Sequence, residues 1–139
     1  MIAAQQCFFV SLGAAGVSTG QFMPQATGTY STATLRNSLA FVLRATYVSP
    51  GDDMSGQMTS DGAGNLAGTA DANSAGTLDP DSTFTATYSI SSNGRGQLAV
   101  NTGQSTVNFA IYLQSGRSAY LVPIDSGAPG ALGLVYRQF

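Results

Sequence analysis

Strict alternation of apolar and polar residues is the feature that most constrains how this chain can fold. In TFTATYSISS, residues 83–92, every second side chain is apolar or small and the intervening ones are threonine or serine. TVNFAIYLQS, residues 106–115, repeats the scheme. A period of two puts one set of side chains on each face of a strand, so both stretches predict antiparallel strands with one buried face.

Turn residues divide the rest of the chain into further strands. The clearest turn is SNGRG, residues 92–96, because Asn-Gly tolerates the positive φ of a tight hairpin. SDGAGN at 60–65 and QSGRSA at 114–119 have the same character, and the longest gap, residues 74–82, carries GTLDPD. The pattern predicts eight strands, at about 38–47, 54–60, 65–73, 83–92, 96–102, 106–115, 118–125 and 132–139.

Eight successive strands with short connections predict an all-β, antiparallel, up-and-down (meander) barrel, because closure of the sheet removes exposed strand edges. A β-sandwich is the alternative. One side of strand 65–73 offers only Leu66, Gly68, Ala70 and Ala72, which predicts a tightly curved or flattened wall rather than a spacious ligand cavity. The predicted core is Leu39, Phe41, Leu43, Phe84, Tyr88, Ile90, Leu98, Val100, Val107, Phe109, Ile111 and Leu113.

The chain contains two similar segments, one near its N-terminus and one at its C-terminus. CFFVSLGAAG followed by GQFMPQ resembles AYLVPIDSGAPG followed by GLVYRQ, each an apolar strand, a Gly-Ala-x-Gly turn and a strand that ends near glutamine. We interpret 1–25 as the last two strands of a preceding copy, at 7–12 and 17–23, residues 26–34 as a linker and 35–139 as the complete barrel unit. Strands with unpaired edges tend to pair with strands of other molecules, so we expect self-association through residues 1–25.

Composition excludes several classes of partner. Only 9% of the residues are charged, the net charge is −2, and the five basic residues are scattered arginines, so nucleic acid is not an expected partner. No apolar run approaches the about 18 residues of a membrane span, and membrane insertion is not expected. The N-terminal stretch lacks the basic region and cleavage site of a signal peptide. A surface of Ser, Thr, Asn, Gln and Gly is typical of secreted or cell-surface β proteins.

Missing residue types also restrict the chemistry. The chain has no histidine and no lysine, which excludes Ser-His-Asp and Cys-His sites, Schiff bases and P-loops. Cys7 is the single cysteine, so neither a zinc site nor a cofactor is expected. Acid catalysis or calcium binding by aspartates remains conceivable at residues 52–53, 61, 79 and 81. Their Gly, Pro and Ser neighbours favour ordinary turn capping instead.

Four residues are candidate contacts for a ligand or partner. Arg95 and Arg117 both follow glycine in predicted hairpin tips and could contact an anionic group such as a polysaccharide carboxylate. Tyr112, on the polar side of its strand, and Tyr30, in the linker, are candidate stacking residues for sugar or packing residues for a neighbouring unit.

The motifs LAFVL, GQMTSDGAGNLAG, ATYSISSNGRGQLAV, VNFAIYLQSGRSAYLVPID and LVYRQ carry a family resemblance over residues 35–139. The chain resembles repeat units of large tandem-repeat secreted or cell-surface proteins of soil bacteria, and in outline its meander is similar to calycin barrels of the lipocalin and avidin type. The repeat family has no established activity, so the resemblance implies a fold and no functional residues. The calycins' tryptophan is absent here.

These features together predict a non-enzymatic, extracellular or cell-surface module with a structural or adhesive role in a repeat array. Two alternatives stay open. A small-molecule carrier requires a cavity well above about 300 Å³, and a carbohydrate-binding module requires exposed aromatic side chains.

Overall fold

The computed structural model describes residues 7–13, 16–45, 52–127 and 130–139, and over these residues the protein is all-β. Two N-terminal strands form a separate hairpin and eight strands form a closed barrel. The strands are β1 (Cys7–Gly13), β2 (Gly16–Phe22), β3 (Arg36–Ala45), β4 (Asp52–Asp61), β5 (Asn65–Ser74), β6 (Thr77–Ile90), β7 (Arg95–Asn101), β8 (Thr106–Ser115), β9 (Ser118–Pro123) and β10 (Ala131–Arg137).

The barrel is an antiparallel meander, which confirms the predicted fold class and excludes the sandwich. Each strand from β3 to β10 pairs with its neighbours in sequence, and β10 closes the barrel by pairing with β3, for instance Val135 with Phe41. No described helix is long and apolar enough to cross a bilayer.

Residues buried inside the barrel confirm the alternation seen in the sequence. All twelve predicted core residues belong to the central apolar cluster or pack against it. Eight further members were not in the predicted core. Two precede β3 and belong to no strand, two are small alanines, and the other four lie in strands that alternate less regularly: Tyr30, Leu35, Ala86, Ala119, Met58, Leu66, Leu121 and Val135.

The segment between the hairpin and β3 closes one end of the barrel, which we call the plugged end. This is the end where the β4–β5, β6–β7 and β8–β9 turns lie. The Ala26 amide donates to the Gln114 carbonyl at 2.8 Å, and a 3₁₀ turn, Thr32–Thr34, follows. Residues 23–35, which we call the plug and which include the predicted linker 26–34, therefore connect the hairpin to the barrel and also pack across its end.

Tyr30 corrects one expectation directly. It is not an exposed stacking residue, because it is only 8% exposed and belongs to the core. Its amide donates to the Ser92 carbonyl and its hydroxyl to the Ala26 carbonyl at 2.7 Å. Tyr30 thus plugs its own barrel.

The stretch GTLDPD also differs from its prediction as a gap between strands. The chain turns tightly at Ala75-Gly76, and β6 starts at Thr77, so Asp79 and Asp81 lie within a strand rather than in a turn. A bulge there puts one extra residue into β6, and Asp81 has a φ of 56°. The Asp71 carboxylate accepts the Asp81 amide at 2.9 Å, which holds the bulge in place.

The N-terminal strands form a two-stranded antiparallel sheet, which confirms the strands predicted at 7–12 and 17–23. Phe9 lies opposite Gly20 in the register, and its ring is 5.2 Å from that of Phe22. Side chains on this hairpin are largely exposed, including those of Phe8 and Leu12.

Candidate functional site

The barrel encloses a cavity of about 490 Å³ at the end opposite the plug, which we call the cavity end. The β5–β6 and β7–β8 turns lie there. Asp79, Thr102 and Gln104 line the cavity and are exposed, so it reaches the surface at this end. Its lining consists of Phe41, Leu43, Met54, Met58, Leu66, Ala70, Ala72, Asp79, Ser82, Thr83, Phe84, Leu98, Val100, Thr102, Gln104, Val107, Phe109 and Leu121.

Small side chains on β5 create this space. Alternation turns Leu66, Ala70 and Ala72 inward, and the alanines leave a gap that leucine or phenylalanine would fill. The prediction that small residues on this strand leave no spacious cavity is therefore wrong. The barrel does not flatten against them. Large side chains line the rest of the cavity, and the Phe41 and Phe84 rings meet edge to face with their centres 5.8 Å apart.

Polar groups lie at the outer part of the cavity. Ser82 donates to the Asp79 carboxylate at 2.8 Å, and Thr102 and Gln104 line the cavity near the β7–β8 turn. The β6 bulge explains the position of Asp79: without the extra residue, regular alternation from Ser82 would turn Pro80 inward instead. Among the described residues that line the cavity, Asp79 is the one that carries a charge.

The interior on the plugged side of the cavity is packed. Leu39, Ile111 and Val135 are the largest fully buried side chains, and buried Ser60 and Tyr88 lie beneath the plug. Among the described residues no buried side-chain polar atom lacks a hydrogen-bond partner. The barrel interior is therefore divided into a satisfied core at one end and a cavity at the other.

Two of the four candidate contact residues meet on the outside of the barrel. The Arg95 guanidinium lies 5.7 Å from the centre of the Tyr112 ring, and its Nε donates to the Tyr112 hydroxyl at 3.3 Å. Tyr120 lies directly opposite Tyr112 in the β8–β9 register. These three side chains and Gln25 line an outer groove of about 370 Å³.

The other two candidates lie elsewhere. Arg117 is in the β8–β9 turn, exposed, and does not line the outer groove. Tyr30 is buried in the plug. Tyr120 was missed by the sequence analysis, although its position on the same face as Tyr112 in the next predicted strand could have identified it.

Two aspartates have lowered pKa values for structural reasons. The Asn65 side chain and the Asn65 and Ala63 amides donate to Asp61 and lower its pKa to about 2. The Asn108 amide and side chain likewise lower the pKa of Asp125. Asp61 therefore caps the turn between β4 and β5, which confirms the turn-capping interpretation for this residue. Asp125 joins the segment after β9 to Asn108 of β8. In the described parts of the chain, no three acidic or cysteine residues cluster as metal ligands would.

Comparisons with known proteins give a fold and no family. No family model and no curated protein sequence matches the chain. A de novo designed fluorescence-activating β-barrel is similar, with 12% identity over 77% of this chain and 96% of that one and a TM-score of 0.51. A redesigned β-barrel bound to DFHBI has 14% identity over 75% of this chain and 99% of that one, with a TM-score of 0.49.

Proposed function

We propose that the barrel binds a small, mainly apolar molecule in the cavity at its cavity end. The observation that supports this proposal best is the cavity itself, about 490 Å³ in a barrel whose other end is fully packed. Ligand pockets commonly measure roughly 300–1,000 Å³ and combine an apolar wall with a few polar groups. Both properties hold here.

The lining restricts the ligand's chemistry. Aromatic, aliphatic and thioether side chains favour an apolar body, since methionines such as Met54 and Met58 adapt to irregular shapes. The polar groups near the mouth can hydrogen-bond one end of the ligand. The Asp79 carboxylate favours a hydrogen-bond donor or a cation there and disfavours an anion. A neutral or cationic molecule with an apolar body is the expected class.

A titration with the neutral fluorophore N-phenyl-1-naphthylamine tests the proposal. The wild-type protein should enhance its fluorescence with a dissociation constant in the micromolar range. Ala70→Leu fills the cavity and should weaken binding about tenfold or more. Ala67→Leu makes the same change on the exposed face of the same strand and should leave binding unchanged. No enhancement by the wild type, or equal binding by both variants, would refute the proposal.

A second candidate function uses the outer groove. An exposed tyrosine beside a guanidinium and a second tyrosine suits stacking on a sugar ring with a charge contact to a carboxylate. Oligomers of galacturonic acid should then bind more tightly than neutral glucose oligomers. Arg95→Gln should abolish this preference, and Tyr112→Ala should weaken the binding of both oligomers. Tyr136→Ala, at a similarly exposed tyrosine on β10, is the matched control. Equal binding of acidic and neutral oligomers contradicts this candidate.

The structural or adhesive role, the extracellular location, the absence of catalysis and the membership of a repeat array stay predictions from the sequence. The interpretation of residues 1–25 as the end of a preceding copy gains one supporting observation. Phe9 opposite Gly20 and Cys7 opposite Phe22 in β1–β2 match Leu121 opposite Gly133 and Ala119 opposite Val135 in β9–β10.

A further inference from the structure

The hairpin β1–β2 has an apolar surface that the described structure leaves uncovered. Phe8, Val10 and Leu12 project from one face of β1 and are 72%, 65% and 80% exposed. On the other face Phe9 and Phe22 are 41% and 65% exposed. A two-stranded hairpin alone is marginally stable in water, and three or more strands are usually needed.

The free edge of β1 lacks the features that keep strand edges apart. Natural edge strands are protected by charged side chains, proline or bulges. The sequence of β1, CFFVSLG, has no charged residue and no proline, and its pairing with β2 contains no bulge. In the matching strand β9, the corresponding edge pairs with β8. This edge of β1 is therefore suited to pairing with a further strand.

The barrel cannot supply the missing strand. Its sheet is closed, and the first half of β6, which extends past β7, carries Asp79, Pro80, Asp81 and a bulge, features that protect a strand edge. β2 also has an open edge, but it is the more polar strand, with Ser18, Thr19 and Gln21. Pro24 follows it closely, and a proline cannot extend a ladder by donating a hydrogen bond. The complementary edge is thus the β1 edge of another molecule.

We propose that two copies of this chain associate by antiparallel pairing of their β1 strands about a two-fold axis at Val10. This register places Phe8 of one copy opposite Leu12 of the other and Val10 opposite itself, so all three apolar residues share one face of a four-stranded sheet. Antiparallel cross-strand pairs of apolar residues stabilise a sheet. A two-fold arrangement presents the same patch on both copies and closes after two.

The exposed surface is consistent with a small interface and a weak dimer. If a phenylalanine side chain contributes about 200 Å² and valine and leucine somewhat less, the five exposed side chains offer roughly 600 Å² per copy. Edge pairing buries only the part of this area that faces the partner strand, so the total stays below the about 1,200 Å² of standard interfaces, in the range of weak complexes. We expect a dissociation constant on the order of 10 µM. The association is independent of any ligand in the barrel.

Sedimentation velocity under reducing conditions, from about 1 to 300 µM protein, tests the proposal. The wild-type chain should shift from 14.2 kDa to twice that mass with rising concentration. Val10→Asp places like charges opposite each other and should raise the dissociation constant at least tenfold. Val122→Asp, at the matching outward position of β9, should leave the wild-type behaviour intact.

A cross-link fixes the register. In a Cys7→Ser, Val10→Cys double variant, oxidation should give a disulfide dimer in high yield, because residues opposite each other across an antiparallel pair lie within disulfide distance. Cys7→Ser with Val122→Cys should not cross-link. A wild-type chain that stays monomeric, a Val10→Asp variant that dimerises normally, or loss of the dimer in Val122→Asp would each overturn the proposal.

Discussion

The hydroxyl of Tyr88 lies 2.6 Å from the hydroxyl of Ser60, inside the barrel beneath the plug. Both also lie within 2.7 Å of the Leu35 carbonyl, where the plug passes into β3. These three buried groups satisfy one another's hydrogen-bonding capacity. They connect β4, β6 and the plug, and therefore fix the closed end against which the cavity is formed.

Removal of one hydroxyl from this network should destabilise the protein. Tyr88→Phe should lower the free energy of unfolding by about 1–2 kcal/mol, because the buried Ser60 hydroxyl and Leu35 carbonyl lose a partner. Tyr136→Phe removes an exposed hydroxyl and should change little. Urea unfolding measures both, and equal midpoints for the two variants would contradict a structural role for the network.

Gly94 should tolerate alanine less well than Gly103. Both glycines have a φ near +84°, so alanine strains both by about 1–2 kcal/mol. Only at Gly94 would the new Cβ meet the plug, 2.5 Å from Nε2 of Gln25, whereas nothing lies within 4 Å at Gly103. Because Gln25 donates to the Leu113 carbonyl at 2.7 Å, its displacement should cost about 1 kcal/mol more. Thermal unfolding measures the stability of both variants. A larger loss of stability in Gly103→Ala than in Gly94→Ala would argue against the contact between Gly94 and the plug.

The turn between β5 and β6 is suboptimal and can be improved. Ala75 and Gly76 have φ values of 54° and 86°, as in a two-residue hairpin that prefers Asn-Gly. Ala75→Asn should therefore raise stability by about 0.5–1 kcal/mol. Gly76→Ala should lower it. If Ala75→Asn leaves the melting temperature unchanged or lower, the turn geometry is not the one described.

Asp61 should titrate well below an ordinary aspartate. Its pKa of about 2 in the folded protein is below the value of 3.8 for a free side chain, so its contribution to stability is present above pH 4 and is lost as the pH falls towards 2. Asn65→Ala removes the hydrogen bond that lowers the pKa of Asp61 most, and should move that pKa upward. Carboxyl carbon NMR titration measures both values. An Asp61 midpoint near 3.8 in the wild type would show that these hydrogen bonds do not favour the charged form.

Much of the fold could be predicted because turns and alternation are local properties. Alternation in residues 83–90 and 106–115 indicates one buried face for each strand. The Asn93-Gly94 turn identifies the hairpin between β6 and β7. The largest error in the predicted strand boundaries is the start of β6, which lies between Ala75 and Asp81, two non-glycine residues with positive φ values. A bulge held by a carboxylate from the neighbouring strand leaves no periodic signal.

The candidate site was less predictable than the fold. Alanines at 70 and 72 are compatible with a flattened wall or with an empty interior, and the rest of the wall decides between them. The burial of Tyr30 likewise depends on how a segment without periodicity crosses the barrel end. Arg95 and Tyr112 were found because hairpin tips and outward positions follow from the strand pattern, and the register then placed them side by side.

Methionine methyl groups provide the most direct measurement of the cavity's role. Met54 and Met58 line the cavity, whereas Met23 lies at the outer groove. In a protein labelled with ¹³C at the methionine methyls, addition of N-phenyl-1-naphthylamine should shift the Met54 and Met58 signals and leave Met23 in place. If Met54 and Met58 stay unshifted at saturating probe, or if Met23 alone responds, the barrel interior is not a binding site.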